Sequence, residues 1–432
     1  MEMMSAVRPL ETFVPPRAAG QRDVLSLALP PMPLLHVAFV GVGARGRMAV
    51  TRWCHIPKVE IAAVCDVSKE VAEEVARHVE QLGKPRPKVY WGETAYKELC
   101  QQQGVNLVYV CTDWMSHVPI AIHAMEQGRS VAVEVPAALT LKDIWTLIDT
   151  AEQTRQHCMM LENAVYDRFE MAVCQMVREG LLGELVHVEG GYAHPIGDRW
   201  TPWRMEYSRL NAGDVYPTHS IGPVCRLLDI HRTDRMHYLT AMQTNAFWGT
   251  EMYQAVMGKA CDSFANGDQT STMIRTVKGK TMLIQHNVMT PRPYSRMFQA
   301  VGTAGYAAKY PVSEVQLSPE MAAKVGIEME DDKLPLNASQ IETLLNYYAP
   351  SFPSETIALA KELDARGGMS YFMDLRLAQC LQQGLPLDMD VYDLAEWCCI
   401  AELSKRSIEQ GSMPVMIPDF VNRRSSVDTE SI

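Results

Sequence analysis

From residue 35 onward, short apolar runs alternate with helical stretches, and this alternation limits the folds open to the chain more than any other feature. HVAFVG (36–41) is followed by a helical stretch from Arg45, and VEIAAVCD (59–66) by a helix over Ser68–Gln81. NLVYVCT (106–112) and SVAVEVP (130–136), read as the fourth and fifth strands, each precede a helical pattern, and CMMLEN (158–163) reads as the last strand. Continuous apolar runs separated by helices predict a parallel sheet covered on both faces.

The junction of the first strand and first helix reads Gly41-Val42-Gly43-Ala44-Arg45-Gly46. A GxGxxG string alone is weak, but between a strand and a helix it is the dinucleotide-binding turn of a Rossmann domain. Gly41 permits the tight turn, Gly43 lets the backbone approach a pyrophosphate, and Gly46 lets helix and strand pack closely. The N–H groups of Ala44 and its neighbours then face the phosphates. Asp66 ends the second strand twenty residues later, where a carboxylate accepts hydrogen bonds from a ribose diol and repels a 2′-phosphate. The expected cofactor is therefore NAD. The alternatives are a bare strand–helix turn and, for Asp66, a helix cap before Ser68. Thr112–His117 closes the fourth strand, where ligands of such sheets sit, so Trp114 borders the nicotinamide ribose or else covers the sheet end while Ser116 caps a helix. Glu134-Val135-Pro136 and Asn163 end the fifth and sixth strands in the same layer.

After about Gly183 the pattern changes. ELVHVEGGYAH (184–194) opens a strand-rich region, TSTMIRTV-KGK-TMLIQHNVM (270–289) reads as an antiparallel hairpin, and MFQAVG (297–302) follows. SYFMDLRLAQCLQQG (370–384) is an amphipathic helix stopped by Gly384, and another runs from Asp390 to Gly411. The expected fold is α/β plus α+β: an N-terminal Rossmann domain (34–163) and a C-terminal domain (164–420) on a large, mainly antiparallel open sheet. A late helix is expected to pack back on the Rossmann domain. Residues 1–33 read as an extended arm, because the apolar stretch 24–35 contains three prolines and lacks a cleavage site, and 421–432 read as a flexible tail.

At 432 residues the chain exceeds one ordinary core. Its net charge of -11 argues against nucleic acid, and no segment approaches the ~20 apolar residues of a membrane helix. The 11 cysteines show no metal spacing and sit mostly in apolar runs, which predicts buried free thiols, a reducing compartment and no metal. Without a clear signal peptide the expected location is cytoplasmic.

These motifs resemble the glucose–fructose oxidoreductase / inositol dehydrogenase (Gfo/Idh/MocA) family, whose fifth strand usually ends in Glu-Lys-Pro. Here Val135 replaces the lysine that acts in hydride transfer. A narrower resemblance accounts for the change: the NAD-dependent glycosidases of glycoside hydrolase family 109 carry Glu-Val-Pro-Ala, and this chain has EVPA at 134–137. MLENAVYDRFEM (160–171), GDVYPTHSIGP (213–223), TPRPYSR (290–296) and GLPLDMDVYD (384–393) are also similar to that family. The resemblance implies NAD contacts from Arg45, Asp66, Trp114, His117, Glu134, Val135 and Asn163. It implies a sugar site of Tyr192, Arg204, Tyr216, His219 and Tyr294, an α-N-acetylgalactosaminide or related carbohydrate as substrate, and a homo-oligomer, dimer or tetramer. Family members often carry an export signal, which would make a periplasmic location an alternative. Two departures touch the sugar site: Gly213-Asp214-Val215 where the family has Gly-Asn-Leu, and Ser220-Ile221 where it has Gly-Leu.

Most glycosidases flank the scissile bond with two carboxylates, and the NAD-dependent families are exceptions. The chemistry implied is transient oxidation at sugar C3, loss of the C2 proton, elimination of the aglycone and addition of water. His219 suits proton shuttling at the C3 hydroxyl. Tyr192 is a candidate base at C2, Arg204 a substrate-oxygen ligand, Tyr216 shares the His219 turn, and Tyr294 closes the pocket. The competing expectations are a sugar dehydrogenase with net hydride transfer, disfavoured by the missing lysine, and a non-catalytic NAD-binding sensor, disfavoured by His219 and Tyr216.

Overall fold

The structure is a computed structural model and describes residues 8–423 apart from 330 and 332. It divides into two compact units. Within the described residues, the parallel-sheet unit comprises 15–166, 352–398 and 420–423, and the mixed-sheet unit comprises 8–14, 167–351 and 399–419. The chain changes unit first after Val14 and again after Tyr166, and the late helix Met369–Gln383 belongs with the parallel sheet. The expected tail lies outside the described residues from 424 on.

The parallel-sheet unit contains β1 (Leu35–Val40), β2 (Val59–Asp66), β3 (Lys88–Trp91), β4 (Leu107–Val110), β5 (Ser130–Val133) and β6 (Cys158–Met160). Their order is β3-β2-β1-β4-β5-β6, and every neighbouring pair is parallel. This is the doubly wound order of a Rossmann sheet, with its switch point between β1 and β4. β4 and β5 are buried at every position, which is why they read as unbroken apolar runs. Three of the helices start at side-chain caps: Ser68 accepts from Val71 N, Asp113 from Met115 N and Ser116 N, and Thr140 from Asp143 N. Asp113, not Ser116, thus caps the helix Trp114–Glu126, and Ser116 Oγ donates to the capping carboxylate at 2.7 Å.

Two buried polar centres lie in this unit. Arg52 Nε donates to Asp374 Oδ2 at 2.7 Å and Tyr109 Oη to Asp374 Oδ1 at 3.0 Å, which ties the late helix to β4 and to the first helix. Glu152 receives Arg17 Nη2 at 2.9 Å, Arg423 Nη2 at 2.6 Å and Tyr392 Oη at 2.6 Å. Residues 17 and 423 are thereby held on one buried carboxylate.

The mixed-sheet unit contains β7 (Leu185–Ala193), β8 (Met236–Gln243), β9 (Thr270–Thr276), β10 (Thr281–Asn287), β11 (Gln299–Gly302), β12 (Gly305–Ala308), β13 (Glu314–Leu317) and β14 (Val415–Met416). Their order is β13-β12-β11-β7-β10-β9-β8-β14. All neighbours are antiparallel except β7 and β10, which run parallel with Tyr192 opposite His286. β9 and β10 form the expected hairpin, pairing Thr281 with Arg275. Outside β14, Leu10 of the arm bridges Val415, so the β8 edge is covered.

The double glycine in β7 sets the local packing. A Cβ on Gly190 would overlap the Ser220 carbonyl, so its absence lets the helix Thr218–Leu228 lie against the strand. A Cβ on Gly191 would overlap the Met297 side chain. Along β9, Thr270, Thr272, Ile274 and Thr276 are buried, while Met273 and Arg275 on the opposite face are exposed.

Candidate functional site

The residues singled out from the sequence fall into two sets, one on each unit. On the parallel-sheet unit the glycine turn has the form the motif requires. Gly41 adopts φ +82°, and a Cβ there would overlap the backbone of Thr112. A Cβ on Gly46 would overlap the Gly41 carbonyl. At Gly43, by contrast, a Cβ would meet nothing within 4 Å. Gly41 and Gly46 therefore serve the turn itself, while Gly43 leaves open space beside the first turn of the helix Ala44–Cys54. That helix has no side-chain cap and no acidic residue in its first turn, so its N-terminal N–H groups and dipole suit an anion.

The strand ends add polar groups. Asp66 accepts from Val42 N at 2.9 Å through Oδ2 and from Ser68 N at 3.1 Å through Oδ1, which fixes the carboxylate beside the glycine turn. Arg45 Nε donates to Glu134 Oε1 at 2.7 Å. Burial alone would raise the Glu134 pKa, but the Arg45 guanidinium outweighs it and holds the carboxyl below its ordinary value. Val135 is buried, and the Val135–Pro136 peptide is cis. Trp114 opens its helix and is mostly buried. Asn163 donates through Nδ2 to Ser370 Oγ at 2.8 Å, while its buried Oδ1 has no partner among the described residues and is available as an acceptor. An open glycine cradle, an uncapped helix start, a carboxylate at the end of β2 and this orphaned acceptor fit NAD.

His117 lies differently from a ligand-facing histidine. It is buried, with Nδ1 2.9 Å from the Pro136 carbonyl and Nε2 3.1 Å from the Thr112 carbonyl. Both ring nitrogens face backbone, so the ring braces the loops after β4 and β5. Burial lowers its pKa, against the two carbonyls.

On the mixed-sheet unit the structure gathers four of the five expected sugar-site residues. Tyr216 Oη lies 3.3 Å from His219 Nε2. The Tyr192 ring is 4.9 Å from His219 and 5.5 Å from Tyr216, centroid to centroid. Tyr192 comes from β7, and His219 and Tyr216 from the start of the helix that the Gly190 contact holds on β7. Tyr294 reaches the group through His194, whose ring is 4.8 Å from Tyr192 and 5.5 Å from Tyr294. The Tyr294 segment is fixed by Ser295, which exchanges hydrogen bonds of 2.8 and 2.9 Å with Ala193. Arg204 sits on the helix Pro202–Leu210, next to Met205 of the apolar cluster that includes Tyr192. Its guanidinium carbon is 5.1 Å from the Trp203 ring centre, and Nη1 donates to the Arg199 carbonyl at 3.4 Å.

The turn carrying Tyr216 and His219 is anchored from several sides. Gly213 N donates to Gln243 Oε1, and its carbonyl accepts from Asn266 Nδ2 and Thr270 Oγ1. Asp214 accepts from Tyr216 N at 3.1 Å through Oδ1, while Oδ2 is buried without a partner among the described residues. Burial pushes the Asp214 carboxyl up to about 7, against that single hydrogen bond.

Sequence reasoning overlooked His194, His286, Arg296 and Glu170. His194 stands two residues after Tyr192, so period-2 alternation was the available signal. His286 is opposite Tyr192 across the parallel β7–β10 pair, and burial followed by the nearby His194 brings its pKa down to about 4.

Comparison with known proteins agrees with this division. The model for "Oxidoreductase family, NAD-binding Rossmann fold" matches residues 35–162, and that for "Glycosyl hydrolase 109, C-terminal domain" matches 166–426. Glycosyl hydrolase family 109 protein 1 of Bacteroides fragilis (strain YCH46) is 49% identical over 423 residues, covering 96% of this chain and 91% of that protein. A family 109 protein of Porphyromonas gingivalis is 47% identical over 428 residues, with 96% and 91% covered. Among solved structures, levoglucosan dehydrogenase in complex with NADH and L-sorbose superposes with a TM-score of 0.69 at 15% identity, covering 90% of this chain and 100% of that one. Myo-inositol dehydrogenase from Lactobacillus casei in complex with NAD(H) and myo-inositol gives 0.61 at 16% identity, covering 90% and 100%. At such identities the two structures speak for the fold alone.

Proposed function

Since the chain belongs to glycosyl hydrolase family 109, we propose that it hydrolyses a glycoside, an α-N-acetylgalactosaminide or a related sugar, by transient oxidation at C3. The observation that carries this reading is the Tyr192–Tyr216–His219 cluster. It consists of two phenols and an imidazole, groups suited to moving protons, with the 3.3 Å Tyr216–His219 approach at its centre. NAD, when bound at the glycine turn, supplies the reversible two-electron oxidation of the sugar.

His219 takes the C3 hydroxyl proton and later returns it, with Tyr216 holding the imidazole in place. A ketone at C3 acidifies C2–H, and Tyr192 removes that proton. Arg204 and Tyr294 hold sugar oxygens. Gly43 and Ala44 cradle the pyrophosphate on the turn that Gly41 and Gly46 make possible, Asp66 takes the ribose diol, and Trp114, Glu134, Val135 and Asn163 line the nicotinamide end. Arg45 keeps Glu134 ionised there, and His117 contributes by shaping the loop.

The test is an aryl α-N-acetylgalactosaminide with no added NAD. Aglycone release without accumulated NADH is expected. Stoichiometric NADH would replace this reading with a sugar dehydrogenase, and neither product would leave a nucleotide-binding protein without this activity. We also propose a homo-oligomer, a dimer or tetramer, formed through the exposed sheet face, where Met242 and Met273 are 66% and 44% exposed. Light scattering that gave a monomer at micromolar concentration would overturn it. The eleven cysteines are free thiols, most of them buried. Among the described residues no helix is long and apolar enough to cross a membrane.

A further inference from the structure

We infer that Arg296 is a positioning residue that aims the Tyr294 phenol at the departing glycosidic oxygen, so that Tyr294 is the acid of the elimination step. The inference rests on the glycosidase reading above and assigns a part of the cycle that His219 and Tyr192 leave open.

Arg296 is a buried cation with a directional set of partners. Nε and Nη2 donate to Glu170 Oε1 at 3.1 and 2.5 Å, and Nη2 also donates to Asp167 Oδ2 at 3.2 Å. Asp167 in turn pairs with Lys309. The remaining branch, Nη1, donates to Tyr294 Oη at 2.9 Å. The side chain of Arg296 is 3% exposed, so carboxylates on one side and a phenol on the other fix the planar guanidinium.

Its effect on Tyr294 follows from hydrogen-bond capacity. A phenol has one proton to give and accepts through its oxygen. With Arg296 donating to that oxygen, the Tyr294 proton is left to be donated elsewhere, and Tyr294 is 42% exposed, open to an incoming ligand. A guanidinium at 2.9 Å also stabilises the negative charge that proton transfer leaves on the oxygen.

The order of groups supports the assignment. His219 contacts Tyr192, Tyr192 contacts His194, and His194 contacts Tyr294, at centroid separations of 4.9, 4.8 and 5.5 Å. With His219 at the C3 hydroxyl and Tyr192 at the C2 proton, the next position along the ring is C1, and Tyr294 is the next hydroxyl in the row, beyond His194, whose Nδ1 faces the Pro195 carbonyl at 3.0 Å. In the step itself the C2–H bond breaks and its proton goes to the base. The C1=C2 double bond forms, and the C1–O bond breaks with its electron pair leaving on the aglycone oxygen. That oxygen receives the Tyr294 proton, and the phenolate faces Arg296. The oxidation that precedes this step is the two-electron exchange with NAD proposed above.

Leaving-group dependence separates this role from a structural one. An acid matters more for a basic leaving group, so 4-methoxyphenyl and 4-nitrophenyl α-N-acetylgalactosaminides are compared. Tyr294→Phe should widen the ratio of their kcat/KM values by about 10-fold or more, and Arg296→Met should widen it similarly. Arg296→Lys should recover part of the effect, and adding Arg296→Met to Tyr294→Phe should change the ratio no further. If Arg296→Met does not fold, Glu170→Gln loosens the same guanidinium and should widen the ratio by a smaller factor. Equal losses on both substrates in Tyr294→Phe, or additive effects in the double variant, would overturn the inference. Exchange of the C2 proton with deuterated solvent keeps the two levels apart. Exchange in the wild type with an unchanged leaving-group ratio in the variants removes the Arg296–Tyr294 role alone. No exchange and no aglycone release in the wild type removes the glycosidase reading, and this role with it.

Discussion

The cofactor set and the sugar set are built in opposite ways. On the parallel-sheet unit, the proposed cofactor site is mainly backbone: a glycine turn, a helix start and the ends of consecutive strands. On the mixed-sheet unit, the proposed sugar site is made of side chains brought together from β7, the turn at 213–219 and the segment 290–296. A backbone site tolerates many side-chain changes but few changes at Gly41 or Gly46. A side-chain site depends on single atoms, and each is held by partners far away in sequence.

The sharpest way to separate the two sets is His219→Ala. Glycoside turnover should fall by about 100-fold to 10,000-fold, the range of a positioned acid or base, while NAD binding measured by titration stays unchanged. Exchange at sugar C2 should also stop, because C2 becomes acidic only after oxidation. Wild-type exchange in this variant would move the C3 role to Tyr192 or Tyr216.

Asp66→Ala probes the other set. NAD affinity should weaken by about 10-fold, as expected for losing a charge-assisted hydrogen bond. Activity at saturating NAD should recover towards wild type. An unchanged affinity would mean that the carboxylate only orders the turn through Val42 and Ser68.

The glycine turn, Asp66 and the strand ends were legible because a doubly wound sheet places its ligand at positions that are also consecutive in sequence. β1 and β2 stood out because one face after another is buried. β3, β12 and β14 were missed: KVYW and GYAA are four residues long and VM only two, too short to show a period. β8 was missed because His237, Tyr238 and Thr240 dilute its alternation. In the proposed sugar set, Tyr192, Tyr216, His219 and Tyr294 were picked out through motifs. Arg296 closes the TPRPYSR motif, but its partner Glu170 lies 126 residues away and nothing local announces the pair. The parallel pairing of β7 with β10, which brings His286 opposite Tyr192, is likewise a property of topology.

The smallest expected effect concerns Asp214, where this chain departs from the Gly-Asn-Leu that the family resemblance implies. Burial lifts its carboxyl to about 7, so the folded state keeps a proton that the unfolded chain, at 3.8, gives up. The stability this contributes is complete below pH 3.8 and is lost progressively as pH rises to about 7. Asp214→Asn keeps the acceptor for Tyr216 N and removes the ionisation. Its advantage over the wild type should therefore be absent near pH 4 and grow as pH rises to about 7, read by denaturant unfolding. A constant difference across that range would show that Asp214 is not protonated in the folded protein.

Glu152 has a practical consequence for anyone handling this protein. The segments around residues 17 and 423 meet on one buried carboxylate, so shortening either one leaves a buried anion with fewer cations. Local opening at one segment is therefore coupled to opening at the other. Limited proteolysis near residue 17 should expose the region around Arg423 to cleavage as well, and an affinity tag designed with a cut site should be placed clear of both.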